Sequence, residues 1–193
     1  MEISCSAPRR TPKGCRDISR WQAKRGHRYE MHTRIRTPAG CGENAMPSTH
    51  SILLYHLIFS TKDRYPFLTS ELRSEVHAYL GGCLRDAGGV PLEIGGVADH
   101  IHILAGLKPT HSVAAVLRET KQGSSEWIHK TLGLKKFAWQ VGYGAFTVSL
   151  SLEHSVRRYI RDQERHHKHR TFQEEYVEML RRCEIKFDDR YLW

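Results

Sequence analysis

Two histidines separated by one residue, His100 and His102, give the sharpest chemical signal in the sequence. They lie in an alternating apolar stretch, D-H-I-H-I-L at 99–104, that predicts a β-strand. Side chains alternate between the faces of a strand, so both imidazoles point one way while Ile101 and Ile103 point the other. Neutral imidazole binds Mn²⁺, Zn²⁺ and similar ions, and this spacing lets both rings reach one ion. The pattern also fits two surface histidines on a half-exposed strand, because the chain has 13 histidines.

A second group of reactive side chains follows in the sequence Y-I-R-D-Q at 159–163. Tyr159 and Gln163 are four residues apart, which places them on one face of a helix, and His166 and His167 continue that face. A tyrosine hydroxyl can act as a nucleophile when a base or a metal activates it. Taken alone, however, Tyr159 also fits a residue at the margin of a helix–core contact.

Apolar periodicity and turn residues predict the elements that must position these side chains. An apolar run at 52–59 predicts a strand, and apolar residues at helical spacing between Ser70 and Gly88 predict a helix. The remaining predicted elements are strands at 90–94 and 97–107, a helix from Ser112, a strand-like stretch at 137–150, a helix capped by Ser151 that runs to His167, and a last helix at 172–183.

This order of elements predicts an α+β fold. Two adjacent strands joined by Gly95 and Gly96 imply an antiparallel hairpin within a split strand–helix–strand pattern. We therefore expect a ferredoxin-like or RRM-like antiparallel sheet with helices on one face, plus a C-terminal helix that carries Tyr159. The other face of the sheet would be free to form a site.

The net charge of +9 is concentrated at the N-terminus. Residues 1–45 contain ten basic and four acidic residues, and their apolar residues follow neither helical nor strand spacing. We predict a disordered basic extension at 1–45 and a single domain at 46–193. The extension would be either an arm that holds DNA or an upstream segment added by start-site choice, since the folded pattern begins near Met46.

Composition argues against several other classes of protein. The five cysteines show no paired two-residue spacing, so no zinc ribbon is predicted. No apolar run approaches the roughly 18 residues of a membrane span, so we predict a cytoplasmic protein without a membrane partner. The chain has no P-loop sequence, and no nucleotide cofactor is expected.

The H-I-H and Y-I-R-D-Q motifs, with W-Q at 139–140, G-Y-G-A-F at 142–146 and the closing D-R-Y-L-W, resemble a known family. They are similar to the single-tyrosine HUH-endonuclease transposases of small bacterial insertion sequences, a group that includes the REP-associated tyrosine transposases. The resemblance covers about residues 47–193, and the motifs together are specific.

This resemblance implies a function and a set of site residues. His100, His102 and Gln163 would hold Mg²⁺ or Mn²⁺, and Tyr159 would cleave single-stranded DNA through a 5′-phosphotyrosine intermediate. The covalent intermediate conserves the bond energy, so strands could be rejoined without a nucleotide. The resemblance further implies a homodimer that acts on hairpin-containing ends of a mobile element.

Basic residues beyond these motifs could contact DNA. Arg165, Lys168, Arg170 and Lys121 are candidates for phosphate contacts, with His167 near the metal. The basic cluster after the tyrosine helix also fits a solvated helix end favoured by the helix dipole.

Three alternative functions stay open at this point. The first is a non-catalytic or domesticated regulator that binds hairpin DNA. The others are a nuclease of the replication-initiator or relaxase type and a hydrolytic zinc enzyme.

Overall fold

Residues 50–168 and 170–192 are described by the computed structural model of the chain. Within these residues, one four-stranded sheet is packed between helices. The extension predicted at 1–45 lies outside the described residues. No helix in the described part of the chain is long and apolar enough to cross a membrane.

The regular elements follow the order predicted from the sequence. The strands are β1 (Leu53–Ser60), β2 (Val90–Gly96), β3 (His100–Leu107) and β4 (Gly144–Val148). The helices are α1 (Ser70–Asp86), α2 (Val113–Thr131), α3 (Glu153–Arg161), α4 (Gln163–His166) and α5 (Phe172–Arg182), and short 3-10 turns span Lys62–Arg64, Leu150–Leu152 and Asp189–Tyr191.

The sheet has the strand order β2-β3-β1-β4, and every neighbouring pair is antiparallel. β1 and β3 therefore form its centre, and each of the helices α1 and α2 connects a central strand to an edge strand. This arrangement confirms the predicted ferredoxin-like plan. In the central pair, Ile58 lies opposite His102 and Ser60 lies opposite His100.

One face of the sheet forms the main apolar core with α1 and α2. Ile101 and Ile103 of β3 are fully buried there, beside Leu80 and Leu84 of α1. Each such side chain stabilises the fold by roughly 1.5–3 kcal/mol when it is removed from water. Because Ile101 and Ile103 face this core, the intervening histidines must face the other side.

The second face of the sheet is covered by the C-terminal helices rather than open. α3 lies against β2 and β3, and α5 packs on β1 and β4. The second apolar cluster contains Ile58, Phe146, Phe172 and Leu180. The histidine face is thus enclosed between the sheet and these helices.

Three predicted boundaries are wrong in detail. Gly95 and Gly96, predicted to join two strands, lie within β2, and the turn is at 97–99, so that β3 begins at His100 and not at Val97. The strand-like stretch at 137–150 forms a strand only at Gly144–Val148, preceded by a single bridge between Trp139 and Thr61. The predicted helix from Ser151 to His167 is broken at Asp162, whose ψ of 14° departs from helical geometry. Aspartate tolerates such a break because its side chain competes for backbone hydrogen bonds. Ser151 lies in a 3-10 turn and does not cap α3.

Candidate metal centre and tyrosine site

The imidazoles of His100 and His102 are oriented by hydrogen bonds on one side of each ring. His100 Nδ1 lies 2.8 Å from Asp99 Oδ1, and His102 Nδ1 lies 2.9 Å from His56 Nε2. Both Nε2 atoms are buried and have no hydrogen-bond partner in the described structure. A carboxylate on Nδ1 that leaves Nε2 bare is a common support for a metal-bound histidine.

Burial keeps the His56 and His102 imidazoles uncharged at neutral pH. It lowers the pKa of His56 to about 4. The pKa of His102 lies well below its ordinary value because the ring is buried and because the neighbouring His100 and His56 would repel a second positive charge. Neutral rings keep the lone pairs that a metal ion requires.

Gln163 begins α4, directly after the break at Asp162, and its side chain contacts His167. The Gln163 side chain is only 1% exposed, and its Oε1 atom lies 2.9 Å from Nε2 of His167. The His167 ring is edge-on to the His100 ring, with 4.6 Å between the ring centres. The structure therefore brings Gln163 and His167 to the same side as the H-I-H motif.

Glu175 of α5 also belongs to this cluster. Its carboxyl group is buried, and its Oε2 atom lies 3.1 Å from Nε2 of His167. Burial, assisted by the charge of Glu178, raises the pKa of Glu175 to about 7. Each of His100, His102, His167 and Glu175 offers one ligand atom, and these four atoms lie within 4.8 Å of one another.

This arrangement suits a divalent cation after small side-chain shifts. Ligand atoms that bind one ion at ~2.1 Å are at most ~4.2 Å apart, close to the 4.8 Å limit of the cluster. The unpartnered Nε2 atoms of His100 and His102 are the groups that such an ion would satisfy.

Tyr159 lies beside these histidines within the same chain. Its ring centre is 5.7 Å from that of His102 and 5.9 Å from that of His56. Its hydroxyl oxygen is buried and has no hydrogen-bond partner in the described structure. α3 can approach the sheet this closely because β2 has glycine at position 95, where a Cβ atom would overlap the carbonyl group of Ile160.

A basic groove of about 660 Å³ adjoins Tyr159. Its lining includes Arg158, Arg165, His166 and Arg170. Arg165 forms an ion pair with Asp162 at 2.7 Å, and Arg170 forms one with Glu178. Two of the predicted DNA-contacting residues, Arg165 and Arg170, therefore line this groove, and the third, Lys168, is exposed.

Lys121, the fourth predicted DNA-contacting residue, has a different setting. Its ammonium group donates hydrogen bonds to the backbone carbonyls of Gln140 at 2.5 Å, Val141 at 3.3 Å and Gly142 at 3.0 Å. Burial lowers its pKa to about 8. The structure thus places Lys121 against the loop before β4 and outside the groove beside Tyr159.

Sequence reasoning missed His56 and Glu175 and assigned no role to Asp99. His56, Ile58 and Ser60 are spaced two residues apart in β1 and therefore share one face of the sheet. A histidine in this buried strand could have identified His56 as a candidate site residue. Glu175 follows Phe172 by three residues, which places an acidic side chain on the apolar face of α5.

Comparisons with known proteins show the family of the chain. The family model of IS200-like transposases matches residues 49–163, and the chain belongs to this family. No curated protein matches it at a significant level.

Two solved structures of transposases are similar to parts of the chain. A protein of Deinococcus radiodurans R1 described as a candidate transposase is 23% identical, with a TM-score of 0.49; the match covers 62% of this chain and 97% of that one. A REP-associated tyrosine transposase solved with a REP hairpin is 15% identical, with a TM-score of 0.45, over 61% of this chain and 72% of the other.

Proposed function

We propose that this transposase cleaves and rejoins single-stranded DNA with Tyr159 as nucleophile and a divalent ion, Mg²⁺ or Mn²⁺, held by His100, His102 and Gln163. The observation that carries the proposal is the position of Tyr159. Its ring lies 5.7 Å from that of His102, and its buried hydroxyl group has no partner in the described structure. A buried hydroxyl without a partner costs about 1–3 kcal/mol, which a bound phosphodiester would recover.

The reaction exchanges one phosphodiester for another. The Tyr159 oxygen attacks the phosphorus atom, the bond from phosphorus to the 3′ oxygen breaks, and a 5′-phosphotyrosine and a free 3′-hydroxyl result. The phenolic proton leaves Tyr159, and the departing 3′ oxygen takes up a proton. A divalent ion at the histidines would supply Lewis-acid polarisation of the phosphate. Attack by another 3′-hydroxyl reverses the step and rejoins strands without a nucleotide.

Several side chains can accept the phenolic proton. The His166 ring lies 5.3 Å from that of Tyr159 and is the more exposed of its histidine neighbours. The His56 ring is farther away, with 5.9 Å between the ring centres, and it is buried and already hydrogen-bonded to His102. We therefore favour His166 as the group that passes this proton to water.

The groove beside Tyr159 provides a path for the DNA strand. Arg165 and Arg170 in its lining, with the neighbouring Lys168, would contact phosphates and hold the strand in register. The proposed substrates are hairpin-containing ends of a mobile element, as the family resemblance implies.

The family resemblance also implies a homodimer, and we keep this as part of the proposal. Because Tyr159 already lies beside His102 in its own chain, each subunit would hold a complete site. Light scattering of the purified protein would give its oligomeric state.

The test of this function is formation of a covalent protein–DNA adduct. Wild-type protein with a labelled hairpin oligonucleotide and Mn²⁺ should give an adduct that survives a denaturing gel. Tyr159→Phe should give none, whereas Tyr143→Phe, at an exposed tyrosine, should form adduct at the wild-type rate. Adduct formation by Tyr159→Phe would remove Tyr159 from its proposed role.

The alternative is a regulator that binds hairpin DNA without cleaving it. The buried hydroxyl of Tyr159 beside His102 argues against this alternative, because DNA binding alone requires no buried nucleophile. Tight hairpin binding by wild-type protein without any adduct in Mg²⁺ or Mn²⁺ would favour the regulator.

A further inference from the structure

We infer that His167 and Glu175 are additional ligands of the same ion, so that the site selects a transition-metal ion such as Mn²⁺ over Mg²⁺. This inference rests on the proposed function, in which His100, His102 and Gln163 hold the ion. It adds a third imidazole and one carboxylate to that set. The metal is then enclosed between β3, the α4 region and α5.

The hydrogen bonding of His167 points to a cation at its Nε2 atom. Its Nδ1 atom lies 2.9 Å from the carbonyl oxygen of Arg170, which can only accept a hydrogen bond. The single proton of the neutral ring therefore belongs on Nδ1, and Nε2 presents a lone pair. That lone pair faces two oxygens, Oε1 of Gln163 at 2.9 Å and Oε2 of Glu175 at 3.1 Å.

Lone pairs of three hydrogen-bond acceptors this close together repel one another unless a proton or a cation lies between them. His100 adds another lone pair, because its Nδ1 atom must donate to the carboxylate of Asp99 and leaves Nε2 bare. The ligand atoms of His100, His102, His167 and Glu175 all lie within 4.8 Å of one another. A divalent ion is the species that satisfies all of these acceptors at once.

The start of α5 holds Glu175 in place. Thr171 and Glu174 form a capping box that fixes the first turn of this helix. Phe172 stacks on the His100 ring, with 4.1 Å between the ring centres and an angle of 22° between the planes. Glu175 lies one turn further along and is only 4% exposed. A ligand held this firmly loses little entropy when it binds the ion.

Charge gives Glu175 a role that the other ligands cannot fill. Three imidazoles and an amide are neutral, so a divalent ion held by them alone would keep its full charge in a buried site. One carboxylate halves that charge and leaves the remainder for the DNA phosphate. The set of three nitrogen and two oxygen atoms also suits Mn²⁺, Co²⁺ or Zn²⁺, whereas Mg²⁺ prefers oxygen ligands and retained waters.

The test measures metal affinity, without DNA, by isothermal titration calorimetry with Mn²⁺ and separately with Mg²⁺. Wild-type protein should bind Mn²⁺ more tightly than Mg²⁺. Because loss of even an indirect supporting group costs about 10- to 100-fold in affinity, Glu175→Gln should lose at least that much for Mn²⁺. Glu164→Gln, at an exposed acid on α4 that pairs with Arg73, is the matched control and should bind like wild type.

A second measurement removes any dependence on how well the variant folds. Anomalous scattering from a Mn²⁺-containing crystal of the wild-type chain should place the ion within about 2.0–2.6 Å of a Glu175 oxygen and of His167 Nε2. An ion bound by His100 and His102 but distant from Glu175 would overturn the inference, as would wild-type affinity in Glu175→Gln.

A double variant of the two histidines distinguishes failure of this inference from failure of the proposed function. If His100→Ala with His102→Ala loses Mn²⁺ while Glu175→Gln retains it, the proposed ligands stand and only the further inference fails. If the double variant binds Mn²⁺ as wild type does, the proposed metal centre itself is wrong.

Discussion

The Nε2 atom of His56 lies 2.9 Å from the Nδ1 atom of His102, which joins β1 to β3 on the histidine face of the sheet. The two residues are diagonal neighbours, since His56 is paired with Leu104 and His102 with Ile58. For His102 to present a lone pair at Nε2, its proton must be on Nδ1 and must be donated to His56. His56 therefore sets the tautomer of the proposed metal ligand.

Substitutions at His56 should separate this hydrogen bond from simple packing. His56→Phe removes the acceptor, and we expect Mn²⁺ affinity to fall about 10- to 100-fold, as for other supporting partners of metal ligands. His56→Gln can place its amide oxygen near the position of Nε2 and should retain most of the affinity. His56→Asn is too short to do so and should resemble His56→Phe. Equal calorimetric affinities in all three variants would show that His56 does not orient His102.

Lys121 should contribute to stability rather than to DNA affinity. Lys121→Met keeps the apolar stem but removes the hydrogen bonds to Gln140, Val141 and Gly142. Hydrogen bonds of a charged donor are worth about 1.5–3 kcal/mol, so we expect a loss of that order in the free energy of unfolding by urea. Lys130→Met, at an exposed lysine of the same helix, should have little effect.

The salt dependence of hairpin binding tests the opposite possibility, that Lys121 contacts DNA. A lysine that contacts a phosphate contributes about 0.9 to the slope of log affinity against log salt concentration. If Lys121→Met lowers this slope while leaving stability unchanged, Lys121 is a DNA contact, as the sequence analysis predicted.

Local patterns were sufficient to predict the sheet and the facing of its histidines. Alternation in β3 separates His100 and His102 from Ile101 and Ile103, and the structure has these pairs on opposite faces. The antiparallel pairing of the second and third strands was also predicted correctly, although Gly95 and Gly96 lie within β2 and the turn is at 97–99. Both features depend on residues close together in the sequence, where periodicity is informative.

Contacts between segments distant in the sequence could not be predicted from local patterns. Glu175 contacts His167 because α5 packs over the sheet. The local sequence around neither residue predicts this packing. The break at Asp162 was also missed, because Tyr159 and Gln163 have the spacing of one continuous helix. Tertiary packing determines such features, and local propensity only permits them.

The contact between Gly95 and Ile160 tests whether Tyr159 acts from the position that it has in this chain. Gly95 lies opposite His102 in the sheet, and a Cβ atom at Gly95 would overlap the Ile160 carbonyl group next to Tyr159. Gly95→Ala should therefore displace α3 and cost about 1–3 kcal/mol of stability through overpacking. A shift of about 1 Å in a nucleophile can reduce its rate about 100-fold, and we expect adduct formation to fall by that order.

The matched control for Gly95→Ala is Gly82→Ala in α1, where no atom lies within 4 Å of the added methyl group. Alanine is the better helix former, so this variant should be as stable as wild type or more so by about 0.5–1 kcal/mol, with an unchanged adduct rate. Suppose that Gly95→Ala instead forms adduct at the wild-type rate while its stability falls. Docking of α3 on β2 would then not be required for cleavage, and the acting tyrosine would come from another position of the helix or from a second subunit.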